Sequence, residues 1–234
     1  MNKPLIIFVI VFFIVAGMSN CTKTTTSIPS VLQVVNVYPG SPGQDIYLNS
    51  SLIKTPIVYG IDTDFFSIPA GNYNIKIAPT NTTNFTINNN IDFSTSKNYI
   101  MFLVNEGGTI KPEVVQNNYS PLGFDTSEIR ILLFSPNSPP FDIWVRDTVA
   151  TDTTQPIYYT RYFNDQYANR TYSSYLVLPS GPYNLKFRAT GTTTTLDSIS
   201  VTLNPGISYT IYTRGYFDSS RNIPAFTIDT LIHN

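Results

Sequence analysis

Two ordered blocks of this sequence occur twice, and that repetition limits the possible folds more than any other feature. Pro39-Gly40-Ser41-Pro42-Gly43-Gln44-Asp45-Ile46-Tyr47-Leu48 returns as Pro136-Asn137-Ser138-Pro139-Pro140-Phe141-Asp142-Ile143-Trp144-Val145, with five of ten positions identical. Ile68-Pro69-Ala70-Gly71-Asn72-Tyr73-Asn74-Ile75-Lys76-Ile77 returns as Leu178-Pro179-Ser180-Gly181-Pro182-Tyr183-Asn184-Leu185-Lys186-Phe187, again with five identities. The offset is 97 residues for the first block and 110 for the second, and Tyr99 and Tyr209 keep the second. Recurrence in the same order marks an internal duplication. The change of offset places 13 extra residues in the second copy, between Val145 and Leu178.

Each copy reads as all-β. Tyr73, Ile75 and Ile77 alternate with Asn72, Asn74 and Lys76, and Tyr183, Leu185 and Phe187 alternate with Asn184, Lys186 and Arg188. A period of two with one polar face predicts a half-buried antiparallel strand. Further strands are expected at 31–38, 44–48, 65–68, 85–91, 99–104, 129–135, 172–178, 198–203, 209–212 and 225–228. Turn residues separate them every eight to twelve positions or so, which predicts a β-sandwich in each copy. The expected organisation is therefore all-β, with two tandem antiparallel, immunoglobulin-like sandwiches. The first repeat spans 31–117, a linker 118–127, and the second repeat 128–234, with its insertion around 147–171.

The N-terminus predicts export and anchoring. Lys3 precedes an unbroken apolar run of 13 residues, Leu5 to Gly17. Such a run is shorter than the roughly 20 residues of a membrane-spanning helix and fits a signal peptide. The only cysteine, Cys21, follows directly after Gly17-Met18-Ser19-Asn20. This resembles the lipobox of bacterial lipoproteins, in the looser form similar to that of Bacteroidota; Met18 and Asn20 depart from the commonest box. The resemblance implies a signal peptide over 1–20, lipidation of Cys21, and an address at the outer membrane, on its periplasmic or outer side. Residues 21–30 are polar and without apolar periodicity, as expected of a flexible tether.

The two repeated blocks, Ser-Pro-x-x-Asp-Ile-Tyr/Trp and Pro-Ala/Ser-Gly-x-Tyr-Asn, resemble domain of unknown function family 4397. Its members are secreted and often tandem. The resemblance implies architecture and address, and transfers no catalytic residue.

Little of the sequence points to catalysis. With 14 basic and 15 acidic residues the net charge is −1, so no long-range field draws in nucleic acid. One cysteine and one histidine are too few for a zinc site. The single histidine, His233, lies beside the chain end, where fraying is expected. No Gly-x-Ser-x-Gly, phosphate loop or calcium loop occurs. No cofactor, metal or catalytic residue is therefore expected, and the chain reads as a binding protein, with a structural spacer as the alternative and a small hydrolase third. Asp45 and Asp142 recur in register and are read as strand-entry residues accepting turn amides. Trp144, the counterpart of Tyr47, is expected in the core or between domains. Gly71, Tyr73, Gly181 and Tyr183 are expected to form a structural corner, with glycine giving positive φ and tyrosine folding back onto backbone. The candidate binding residues are Tyr158, Tyr159, Arg161, Tyr162, Phe163 and Tyr167 of the insertion, since tyrosine and arginine are favoured contact residues. The expected partners are the membrane, through the anchor, and a glycan or another envelope protein.

Overall fold

Among the described residues each copy holds eight strands, joined in one connection scheme used twice. The computed structural model describes residues 28–147, 155–217 and 224–233. The first copy holds β1 (Ser30–Asn36), β2 (Gln44–Leu48), β3 (Ser51–Ile57), β4 (Phe66–Ile68), β5 (Gly71–Pro79), β6 (Ile87–Phe93), β7 (Asn98–Glu106) and β8 (Thr109–Gln116). The second holds β9 (Thr126–Leu133), β10 (Phe141–Asp147), β11 (Tyr158–Arg161), β12 (Leu176–Pro179), β13 (Gly181–Ala189), β14 (Thr195–Leu203), β15 (Ser208–Arg214) and β16 (Thr227–His233). Strand order is β4-β1-β7-β8 and β3-β2-β5-β6 in the first copy, and β12-β9-β15-β16 and β11-β10-β13-β14 in the second. Both copies are β-sandwiches. One pair in each is parallel, β1 with β7 and β9 with β15; the other pairings are antiparallel.

Alternation along each strand fills the sandwich cores. Leu32, Val34, Ile46, Ile75, Ile77, Met101 and Leu103 meet inside the first copy. Ile129, Ile131, Phe141, Ile143, Leu185, Phe187 and Ile211 do so in the second. Pro112 and Pro56 interrupt β8 and β3, yet both are strands. Each lies at a sheet edge, where a missing N–H disturbs no ladder.

A third core joins the copies. Ile100, Phe102 and Val104 point away from the first sandwich and, with Val35, Val37 and Val115, pack on Leu132, Phe134, Tyr212 and Leu231 of the second. The Phe102 and Phe134 rings lie 4.6 Å apart. The sheets β4-β1-β7-β8 and β12-β9-β15-β16 are therefore covered on both faces, and the molecule is a stack of four sheets. A parallel pair buried on both sides is the usual setting for such strands, and it explains runs such as Ile100-Met101-Phe102-Leu103-Val104.

The expected strand at 172–178 is shorter than its sequence suggests. Arg170–Ser173 forms a 3-10 turn, closed by Asn169 accepting from the Thr171 amide, and β12 begins only at Leu176.

Candidate functional site

The insertion is built around a buried cation. Opposite Phe141 of β10 stands Arg161, in the register that Ile57 holds opposite Gln44 in the first copy. That offset is 104, so seven of the extra residues precede this position and six follow it. Arg161 is fully buried. Its Nε donates to Asp165 Oδ2 at 2.6 Å, and Nη2 donates to Asp165 Oδ1 at 2.8 Å and to the Ile131 carbonyl at 3.1 Å. The guanidinium lies 4.1 Å from the Tyr172 ring centroid and 4.9 Å from that of Tyr158. Planar bidentate pairing with stacking on rings suits arginine and not lysine.

This pair fixes the surrounding backbone. Asp165 Oδ2 also accepts from the Tyr162 amide at 3.0 Å, and the Asn164 amide donates to the Leu133 carbonyl at 2.7 Å. Thr160 and Asn164 both have positive φ, 50° and 52°, and Asn164 leads into the short helix α1 (Asp165–Ala168).

The structure divides the candidate set. Arg161 is interior, Phe163 packs against the core between the copies, and Tyr158 is half-buried, with burial raising its hydroxyl pKa. Tyr159, Tyr162 and Tyr167 are exposed by 55%, 51% and 65%. Arg170 reaches across to the first copy and pairs with Glu113 at 2.5 Å. Burial raises the pKa of Glu113, and Arg170 opposes that rise.

The repeated aspartates clasp loops. Asp45 accepts from the Thr55 hydroxyl and, through Oδ2, from the Asn81 amide at 3.2 Å. Asp142 accepts from the Thr160 amide and the Gly191 amide, both at 2.9 Å. Asn81 and Gly191 stand 110 apart, both with positive φ. Each carboxylate thus ties strand entry to the hairpin tip across the sheet.

The corner tyrosines need a correction. Gly71 and Gly181 have φ of 145° and 151°. Tyr183 donates to the Pro179 carbonyl at 2.9 Å, but Tyr73 makes no such bond; its ring packs on Phe93. The bond that both copies share belongs to Tyr99 and Tyr209. Their hydroxyls accept from the amides of Ser94 and Asn204, at 3.0 and 2.9 Å, each five residues upstream. The shared 110 offset was the signal for this pair. Trp144 is likewise neither core nor between domains: it alternates out of the second core, half-buried, with the Arg188 guanidinium 4.5 Å from its ring centroid.

His233 does not fray. It ends β16, is buried, and its Nε2 lies 2.9 Å from Thr210 Oγ1. Burial, then the charge of Arg130, lowers its pKa to about 4. Arg130 is fully buried, donates to Thr210 Oγ1 at 3.0 Å and to Asn117 Oδ1, and lies 4.6 Å from the Tyr175 ring centroid. Glu128 accepts from Ser208 Oγ at 2.7 Å and from the Ser120 amide at 3.1 Å. These groups pin the linker against the second copy. Among the described residues no His, Cys, Asp and Glu side chains cluster as a metal site, and no helix is long and apolar enough to cross a membrane. Cys21 lies outside the described residues.

Fold and surface define a tandem β-sandwich protein with one core shared between its copies. The sequence belongs to the domain of unknown function DUF4397 family, whose profile matches residues 30–144 and again 127–230. No curated protein matches the chain. Among solved structures, a streptococcal virulence factor described for alpha-glucan binding is 11% identical, with a TM-score of 0.26, covering 78% of this chain and 92% of that one. GBS52, the minor pilin of Streptococcus agalactiae, is 11% identical with a TM-score of 0.24, covering 84% and 99%. A putative cell adhesion protein from Parabacteroides distasonis is 10% identical with a TM-score of 0.23, covering 87% and 98%. None of these likenesses assigns a ligand to this chain.

Proposed function

We propose that this chain is a lipid-anchored cell-envelope protein that binds a glycan or another envelope protein and does not catalyse. One observation carries the binding reading. Tyr159, Tyr162 and Tyr167 each leave more than half their surface in water, while the backbone between them is held by the buried Arg161–Asp165 pair. Rings carried on a backbone held before contact leave less to be ordered on binding, and tyrosine offers both area and a polar tip. Arg161 and Phe163 serve this surface from beneath and are not contact residues.

Replacing Tyr159, Tyr162 and Tyr167 together by alanine should abolish retention on envelope glycans or envelope extract, with the melting temperature unchanged. Retention at the parent level would overturn this surface. The anchor is tested separately: Cys21→Ser should move the protein from the membrane to the soluble fraction. Protease added to intact cells then reports which way the sandwiches face. The spacer reading is favoured by the core between the copies, because a stack of four sheets transmits load as one body.

A further inference from the structure

A cleft of about 460 Å³ opens where β8, the linker and the 3-10 turn of the second copy meet. Its volume lies in the range of small-molecule sites, and a junction between domains is a common place for one. The walls are mainly polar. Gln116, Asn118 and Ser120 face it from the first copy and the linker, and Arg170, Ser173 and Tyr175 from the second. Val114 and Val115 supply apolar contact.

Arg170 is the charged residue in the lining of the cleft among the described residues. Arg170 gives one nitrogen, Nη1, to Glu113, and its side chain stays 56% exposed at the cleft. Behind Tyr175 sits the second cation, Arg130, which makes no ion pair among the described residues. Two acids stand near the cleft: Glu113, paired with Arg170, and Glu128, which accepts from the Ser120 amide. Guanidinium groups recognise carboxylates by paired N–H donors, and hydroxyls and amides match the hydroxyls of a sugar ring.

We infer that this cleft binds a carboxylate-bearing saccharide unit, with the free edge of Arg170 on the carboxylate and the amides and hydroxyls of Gln116, Asn118, Ser120 and Ser173 on the ring. This rests on the binding reading above and adds a ligand class and a second contact surface to it.

The test is calorimetric titration of the full chain in detergent with tri-galacturonate and with neutral galactotriose as probes. The acidic saccharide should bind at least tenfold more tightly than the neutral one. Ser174→Trp, which fills the cleft from an exposed position, should weaken the acidic saccharide at least tenfold. The double variant Glu113→Gln with Arg170→Gln keeps a neutral hydrogen-bonded pair and should remove the preference for acid. Equal affinity for the two saccharides, no heat from the acidic one, or unchanged binding by Ser174→Trp would each overturn the cleft. Loss of binding in the Tyr159, Tyr162 and Tyr167 variant alone, with Ser174→Trp unaffected, overturns the cleft and leaves the tyrosine surface standing.

Discussion

Ile57 and Arg161 occupy one register position in two copies of the same sheet. The first copy fills that place with apolar surface, and Ile57 joins its core. The second fills it with a cation that must bring Asp165, a carbonyl and two rings with it. Duplication kept the strand order and the clasping aspartates, and let this edge diverge. The lesson is that the insertion is integral to the second sandwich: its buried ion pair stands where its sister copy has core.

The largest effects should come from breaking what joins or distinguishes the copies. Phe102→Ala removes a ring from the core between them and should cost about 3–5 kcal/mol in denaturant unfolding. It should also separate one transition into two, because each sandwich keeps its own core. Asp165→Ala strands the buried guanidinium and should cost about 3–5 kcal/mol, while Ile57→Val at the matching site should cost only about 0.5–1.5. Equal losses at the two sites would erase the contrast between the copies.

A smaller effect depends on pH. His233 has a lowered pKa in the folded chain, about 4 against the 6.5 of a solvated imidazole. The unfolded chain therefore takes up its proton first on acidification. The contribution is complete above about pH 6.5 and is lost as pH falls toward 4, at up to about 1.4 kcal/mol per unit. His233→Gln should flatten that slope between pH 6.5 and 4; an unchanged slope would assign the acid sensitivity elsewhere. Smallest are the tyrosine hydroxyls. Tyr99→Phe, Tyr209→Phe and Tyr183→Phe should each cost about 1 kcal/mol, the worth of one hydrogen bond. Tyr73→Phe should cost nothing measurable, since its hydroxyl makes none among the described residues. Thermal melts of the four variants read the difference directly.

The fold was largely legible because both copies wrote the same alternation twice. Tyr73-Asn74-Ile75-Lys76-Ile77 and its repeat name the inward face residue by residue. The strands β3 and β8 were hidden by proline, which signals a turn in sequence and an edge in this structure. The core between the copies was written in the same letters as any core. Ile100 to Val104 carry apolar residues on both faces, and that loss of alternation is the mark of a strand covered twice. The site was legible only in part. Tyrosine and arginine in the insertion were conspicuous, but nothing local distinguishes the interior Arg161 from the exposed Tyr162 beside it. The pairing with Asp165 is a local i, i+4 contact in a stretch with no helical periodicity to announce it.

The parallel pairs at the centre of the stack also set an order of events. Val31 of β1 closes on Asn98 of β7, and Glu128 of β9 on Ser208 of β15. Neither inner sheet completes its central pair until a strand made much later has arrived, and loop closure must be completed before those contacts form. Each inner sheet is therefore closed by non-local pairing, with strands from near the two ends of a copy meeting at its centre.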